Sequence, residues 1–301
     1  MIFARNLGAP EGPVLLGDGS WLVVETSPDR GCITRLSPDG VVRNVIATTG
    51  RPNGLAVDDR GGIWVAEASS PPALLCVQFD GRAERMATCC EGVPFLYPND
   101  LAFGPDGALY LTDSGILSSV FSPGGKVRSD YSAFRPDGRV YWIHPETRKI
   151  RQLDSGIQFT NGIAFDPENN LYVCETLTGE VFRYIRRDGA MLGEREHFAN
   201  VVHTLGSEGI RGPDGMKFGS NGNLYVAVYG QGDVMVVDRR GHLVDRIVTE
   251  GSQPTNLAFG PRGERKIYVT EQETGTFQVF DVETDGLTLW NSWPASQSAQ
   301  R

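Results

Sequence analysis

Apolar residues along the chain come in short runs of four or five, each closed by a polar residue and separated by Gly, Asp or Asn. One arrangement occurs six times: a polar residue, a short apolar segment, a turn, and a second apolar segment. It runs from Glu11 to Glu25, Asn53 to Glu67, Asn99 to Asp113, Asn161 to Glu175, Asp214 to Val228 and Asn256 to Glu271. The opening polar residues are spaced by 42, 46, 62, 53 and 42 positions. Runs this short and rich in β-branched and aromatic residues predict strands. A repeat of roughly 40–50 residues with four strands per unit predicts the blades of a propeller. The second unit places its two outer strands near 74–79 and 83–87. Gly and Pro interrupt nearly every ten-residue window, so no sustained helical period competes.

The expected architecture is all-β: a six-bladed β-propeller with four antiparallel strands per blade, forming a single domain over residues 1–301. Residues 2–6 stand before Glu11 as 42–46 stand before Asn53, so they are expected to supply the outermost strand of the last blade. Residues 287–290 are the rival for that place. Shared closure protects strand edges that would otherwise be open. The long third and fourth intervals locate insertions at 115–136 and at 206–212. Loops of this kind carry function, and the aromatic and glycine content of 115–136 suggests a mobile flap over one mouth of the channel.

The innermost strand of a propeller blade lines the channel, so the six opening residues form a ring at one rim. Glu11, Asn53, Asn99, Asn161, Asp214 and Asn256 all offer oxygen. Such a set suits a hard divalent cation, Ca²⁺ first, with Zn²⁺, Mg²⁺, Mn²⁺ or Fe²⁺ as alternatives. Two carboxylates in one channel repel unless a cation lies between them. A second acidic series, Glu25, Glu67, Asp113, Glu175 and Glu271, ends the second strands and is expected to hold turns or orient the asparagines. Among the histidines, His203 is the one placed to reach the mouth.

The formal net charge of −9 argues against a nucleic-acid partner. No run approaches the ~20 apolar residues of a membrane span, and the N-terminus has no long apolar segment. Five cysteines, with no paired metal-site spacing, point to free thiols and a cytoplasmic location. Oligomeric state leaves no trace.

Glu11-Gly12-Pro13, Pro98-Asn99-Asp100, Thr160-Asn161-Gly162 and Pro213-Asp214-Gly215-Met216 resemble, in order and over nearly the whole chain, the motifs of the SMP-30/gluconolactonase/luciferin-regenerating family. That resemblance implies a six-bladed, metal-dependent enzyme acting on a small-molecule lactone. It implies Glu11, Asn161 and Asp214 as metal ligands and Asn99 as a ligand or substrate contact. It implies Asp214 as the catalytic base and Asp100 as a substrate-side residue. Tyr97-Pro98 stands where several sugar-lactonase members have an arginine. This makes Tyr97 a substrate-side residue and moves the expected substrate away from sugar acids. A phosphotriesterase-like hydrolase and a non-catalytic ligand-binding propeller are the alternatives.

Overall fold

A computed structural model describes residues 1–187, 191–203 and 209–290. Residues 206–208 of the second insertion therefore lie outside the described residues. The fold is a six-bladed β-propeller of four-stranded antiparallel sheets. Blades 1 to 5 use consecutive strands. They begin with the channel strands Pro10–Leu15, Pro52–Val57, Pro98–Phe103, Thr160–Phe165 and Gly212–Phe218. Blade 6 is made of Pro254–Phe259, Lys266–Glu271 and Thr276–Asp281, with Ile2–Ala4 paired to the last of these. Residues 287–290 form no strand. Leu287 instead bonds through its N–H to the Phe218 carbonyl. In blade 2 the outer strands are Ala73–Val77 and Ala83–Ala87.

The second strands explain why the apolar runs are continuous. Every residue of Trp21–Glu25 is buried, because each blade is covered on both faces by a neighbour. Leu22 and Val24 turn into the interface with blade 2, while Trp21 and Val23 turn into the interface with blade 6. Each pair of adjacent blades has its own apolar cluster, and burial of side chains of this size contributes about 1.5–3 kcal/mol each. Phe3 from the closing strand meets Tyr268 and Phe277 edge-on, at 5.1 and 5.6 Å between ring centroids. The outermost strands, such as Leu243–Val248, are largely exposed.

The expectation of no helix needs a correction. The 115–136 insertion contains a helical turn, Ser118–Phe121, and two 3-10 turns, Pro123–Gly125 and Tyr131–Ala133. It does lie over the channel mouth. Phe121 is buried in a cluster with Ala68, Tyr97 and Phe159, its ring 4.4 Å from that of Phe159. Ser118 Oγ donates to the Ala68 carbonyl at 2.8 Å. A four-residue helix is held by such packing and not by its own hydrogen bonds. Among the described residues no helix is long and apolar enough to cross a membrane.

Candidate functional site

The channel strands open onto a cavity whose lining includes Glu11, Asn53, Asn99, Asn161, Asp214 and Thr255. The sixth ring member therefore differs from expectation. Pro254 pairs with Glu271 as Pro98 pairs with Asp113, so Thr255 occupies the place of Asn99. Asn256 falls one step deeper, level with Asp100. The other four positions at that level are Gly12, Gly54, Gly162 and Gly215. Their lack of a side chain is required: a Cβ on Gly54 would stand 2.6 Å from the Asp100 Cα, and one on Gly215 would stand 2.0 Å from Asn256 Cγ. Asp100 and Asn256 use the space the glycines leave. Asn256 Nδ2 donates to Glu11 Oε2 at 3.3 Å and to Asp100 Oδ2 at 3.4 Å. Two residues further along the channel strand, Lys217 stands where the other blades have Val14, Ala56, Ala102, Ala164 and Ala258. Its Nζ lies 4.0 Å from Asp100 Oδ2. Asp100 is thus buried beneath the ring, whereas Tyr97 lines the mouth.

Two asparagines are oriented by the hydroxyl residues that follow the second-strand acids. Asn99 Nδ2 donates to Ser114 Oγ at 2.9 Å, and Ser114 passes its own proton to the Thr160 carbonyl at 2.8 Å. Asn161 Nδ2 donates to Thr176 Oγ1 at 3.1 Å, and Thr176 donates to the Pro213 carbonyl at 2.8 Å. A hydroxyl whose proton is used onward can only accept from the amide, which fixes which end of each amide faces the channel. Asn161 Oδ1 is buried and has no hydrogen-bond partner. The acids themselves hold turns. Glu25 accepts from the Gly8 N–H, Glu67 from Arg51, Asp113 from Leu96 and Tyr97, Glu175 from Gln158, and Glu271 from Gln253. Each one anchors the entry to its blade's channel strand. His203 does not reach the mouth; its Nε2 lies 3.0 Å from Asp233 Oδ2 on the third strand of blade 5.

Burial pushes the Glu11 carboxyl well above its ordinary range, and the nearby Asp214 and Asp100 charges add to this against the opposing Asn256 and Lys217. Burial and then Asp100 push Asp214 up in the same way, with the Asn161 amide opposing. Asp214 is only half-buried, since the cavity gives it a path to solvent. Among the described residues no three His, Cys, Asp or Glu side chains form a metal cluster. Two carboxylates are not a sufficient cage. The unmet Asn161 oxygen lines the same cavity as Glu11, Asn99 and Asp214, and these side chains together offer oxygen donors of the kind a hard divalent cation takes.

A carboxyl whose folded-state pKa is raised binds its proton more tightly in the fold. Its stabilising contribution is complete below the unfolded pKa and disappears as pH rises through the folded one. In excess chelator, the melting temperature is therefore expected to fall as pH climbs above the usual carboxylate range. Saturating divalent cation should flatten that fall, because it compensates the ionised pair. A melting temperature that rises with pH under chelation would contradict this electrostatic picture.

Residues 9–273 match the family described as SMP-30/Gluconolactonase/LRE-like region. The chain is 30% identical to diisopropyl-fluorophosphatase of Loligo vulgaris over 304 residues, covering 94% of this chain and 91% of that protein. It is 26% identical to a gluconolactonase of Zymomonas mobilis over 283 residues, 87% of this chain and 76% of that protein. In structure it is similar to regucalcin of Agrobacterium tumefaciens, described as a calcium-binding protein, with a TM-score of 0.75 at 18% identity over 97% of this chain and 98% of that one.

Proposed function

Since this chain belongs to the SMP-30/gluconolactonase/LRE-like family, we propose that it is a metal-dependent hydrolase that opens a lactone to the hydroxy acid. Glu11, Asn99, Asn161 and Asp214 would hold one divalent cation, and Ca²⁺ suits the all-oxygen set best. The observation that carries this reading is the buried, unpartnered Asn161 Oδ1 in a cavity shared with Glu11 and Asp214, whose carboxyls are pushed above the usual range by burial first and then by neighbouring carboxylates. The gluconolactonase relative supplies the substrate class. The five free cysteines suit a cytoplasmic location.

When bound, the cation would polarise the lactone carbonyl as a Lewis acid. The protein's own work is positioning and proton transfer. Asp214 receives the proton of the attacking water as its oxygen bonds to the carbonyl carbon. The ring C–O bond then breaks, and the departing alkoxide takes the proton held by Asp214 to become the hydroxyl of the product, which restores the base. Tyr97, Phe121, Phe159 and Tyr229 form an aromatic wall around the cavity, which packs against the substrate ring and excludes bulk water. Ser114 and Thr176 keep the Asn99 and Asn161 carbonyls aimed inward throughout.

Chelation is expected to reduce lactone opening to background, and Ca²⁺ to restore it, with Mg²⁺, Mn²⁺, Zn²⁺ and Fe²⁺ as parallel arms. Full activity in excess chelator, at a metal content near zero by elemental analysis, would overturn the reading. The likeness to diisopropyl-fluorophosphatase favours a second reading, hydrolysis at phosphorus on the same site. A fluorophosphate turned over with higher kcat/KM than any lactone would select it.

A further inference from the structure

The cavity holds a guanidinium that the ring chemistry does not use. Arg51 stands just before Pro52, at the entry to the channel strand of blade 2, and reaches the mouth beside Asn53, Tyr97 and Asn99. Its guanidinium carbon lies 5.4 Å from the centre of the Tyr97 ring. Nη1 donates to the Ser122 carbonyl at 3.2 Å, and Nη2 to Ser122 Oγ at 2.7 Å and Tyr97 Oη at 3.4 Å. All three acceptors are neutral. The Nε–H is buried and meets no acceptor at all. The backbone N–H of Arg51 is fixed on Glu67 Oε1 at 2.7 Å, so the base of the side chain does not drift.

A stacked, anchored guanidinium whose partners are all neutral lacks an anionic oxygen, and a carboxylate would reach it by displacing the Ser122 hydroxyl and the Tyr97 phenol from Nη2. The Nε–H and Nη–H donors of arginine form a planar fork that matches a carboxylate, and stacking on an aromatic ring holds that fork in one plane. Among the described residues the Arg51 guanidinium forms no ion pair: the neighbouring Glu67 carboxylate accepts instead from the backbone N–H groups of Arg51 and Ser69. The guanidinium lines the cavity with Asn53 and Asn99, while the apolar residues Phe159, Ile210 and Tyr229 come from blades 4 and 5 and their approaches.

We infer that Arg51 is the specificity-determining residue of this site and pairs with a carboxylate carried by the substrate, so that the enzyme favours anionic lactones over neutral ones. This rests on the lactone reading above and narrows it. A different role for the same contacts is a latch: through Ser122, Arg51 ties the 115–136 segment to the mouth. The two roles predict different kinetics. A latch acts on every substrate alike, whereas a carboxylate partner acts only on substrates that carry the anion.

The test compares 5-oxotetrahydrofuran-2-carboxylate with its neutral carboxamide, in the metal-loaded full-length protein and in Arg51→Met and Arg51→Lys. Loss of one charge-paired fork is expected to lower kcat/KM for the carboxylate by ~30-fold or more in Arg51→Met, mostly through KM, since the contact is made in ground and transition states alike. The carboxamide should change by less than ~3-fold, and Arg51→Lys should recover only part of the loss, because an ammonium lacks the fork. Calorimetric binding of the ring-opened dicarboxylate should weaken in Arg51→Met, a readout that needs no turnover. Equal losses on both lactones would assign Arg51 to the latch and overturn the inference. So would a parent enzyme that opens the carboxamide as well as the carboxylate, with the lactone reading left intact. A parent that opens neither lactone but binds the dicarboxylate through Arg51 would instead remove the lactone reading and keep the anion site.

Discussion

Asp214→Asn is expected to lower lactone hydrolysis by about 10²-fold or more, the scale of a lost general base. The replacement keeps the side chain's shape, so the ring's packing survives. It removes both the proton acceptor and one of the two raised carboxyls that call for a cation. Cation affinity, read by calorimetry, should therefore fall alongside turnover, while the circular dichroism spectrum stays that of the parent. Asn53→Ala is the matched control. Asn53 lines the same cavity, but it is outside the four proposed donors and should cost much less. Wild-type turnover in Asp214→Asn would remove the base assignment. Equal losses in the two variants would mean that the cation sits elsewhere in the ring.

Gly162→Ala should cause a large loss of stability. The new Cβ would stand 2.2 Å from the Asp214 backbone oxygen and 3.1 Å from the Met216 N–H nitrogen. Both belong to the next channel strand, so relief requires blades 4 and 5 to separate at the rim. Overpacking of this kind costs about 3 kcal/mol or more when the obstacle cannot rotate away. Because the atom displaced is Asp214's own, cation affinity should fall with stability. Gly107→Ala is the contrast: its Cβ would meet open space, and only the left-handed φ of 73° opposes it, at roughly 1 kcal/mol. Urea unfolding in saturating Ca²⁺ separates the two. A Gly162→Ala protein as stable as Gly107→Ala would show that the rim yields more easily than the distances imply.

The repeat made the blades and five of the six ring positions readable, because an inner strand buried on both faces must be apolar and its polar start then stands out. Blade 6 was misread for the same reason. Asn256 before Leu257-Ala258-Phe259 looks like the ring residue of the other strands, but the strand begins at Pro254 and its ring residue is Thr255, which carries no signal of its own. Only pairing with the second strand sets the register. The roles of Ser114 and Thr176 were missed because a hydroxyl following an acid is unremarkable until the asparagine it serves is brought beside it from the neighbouring strand. Arg51 was missed similarly: its partners, Tyr97 and Ser122, lie 46 and 71 residues away in sequence. The helical turn at 118–121 has too few residues to show a period, and it owes its form to Phe121 finding Phe159.

The closing strand also sets an order of events. Glu11 is the first ring residue a ribosome releases, yet its neighbour across the seam is Thr255, whose hydroxyl donates to the Pro10 carbonyl at 2.8 Å. The strand that precedes Glu11 has no partner until Thr276–Asp281 has been made. A growing chain can stack blades 1 to 5 through their shared clusters while the faces destined for blade 6, on Trp21 and Val23 at one end and Tyr225 and Ala227 at the other, stay bare. Such faces are the sticky surfaces of a partly folded polypeptide. The proposed cation would need Glu11 and Asp214 in one closed ring, so its capture would follow the docking of the last blade, the step that covers those faces.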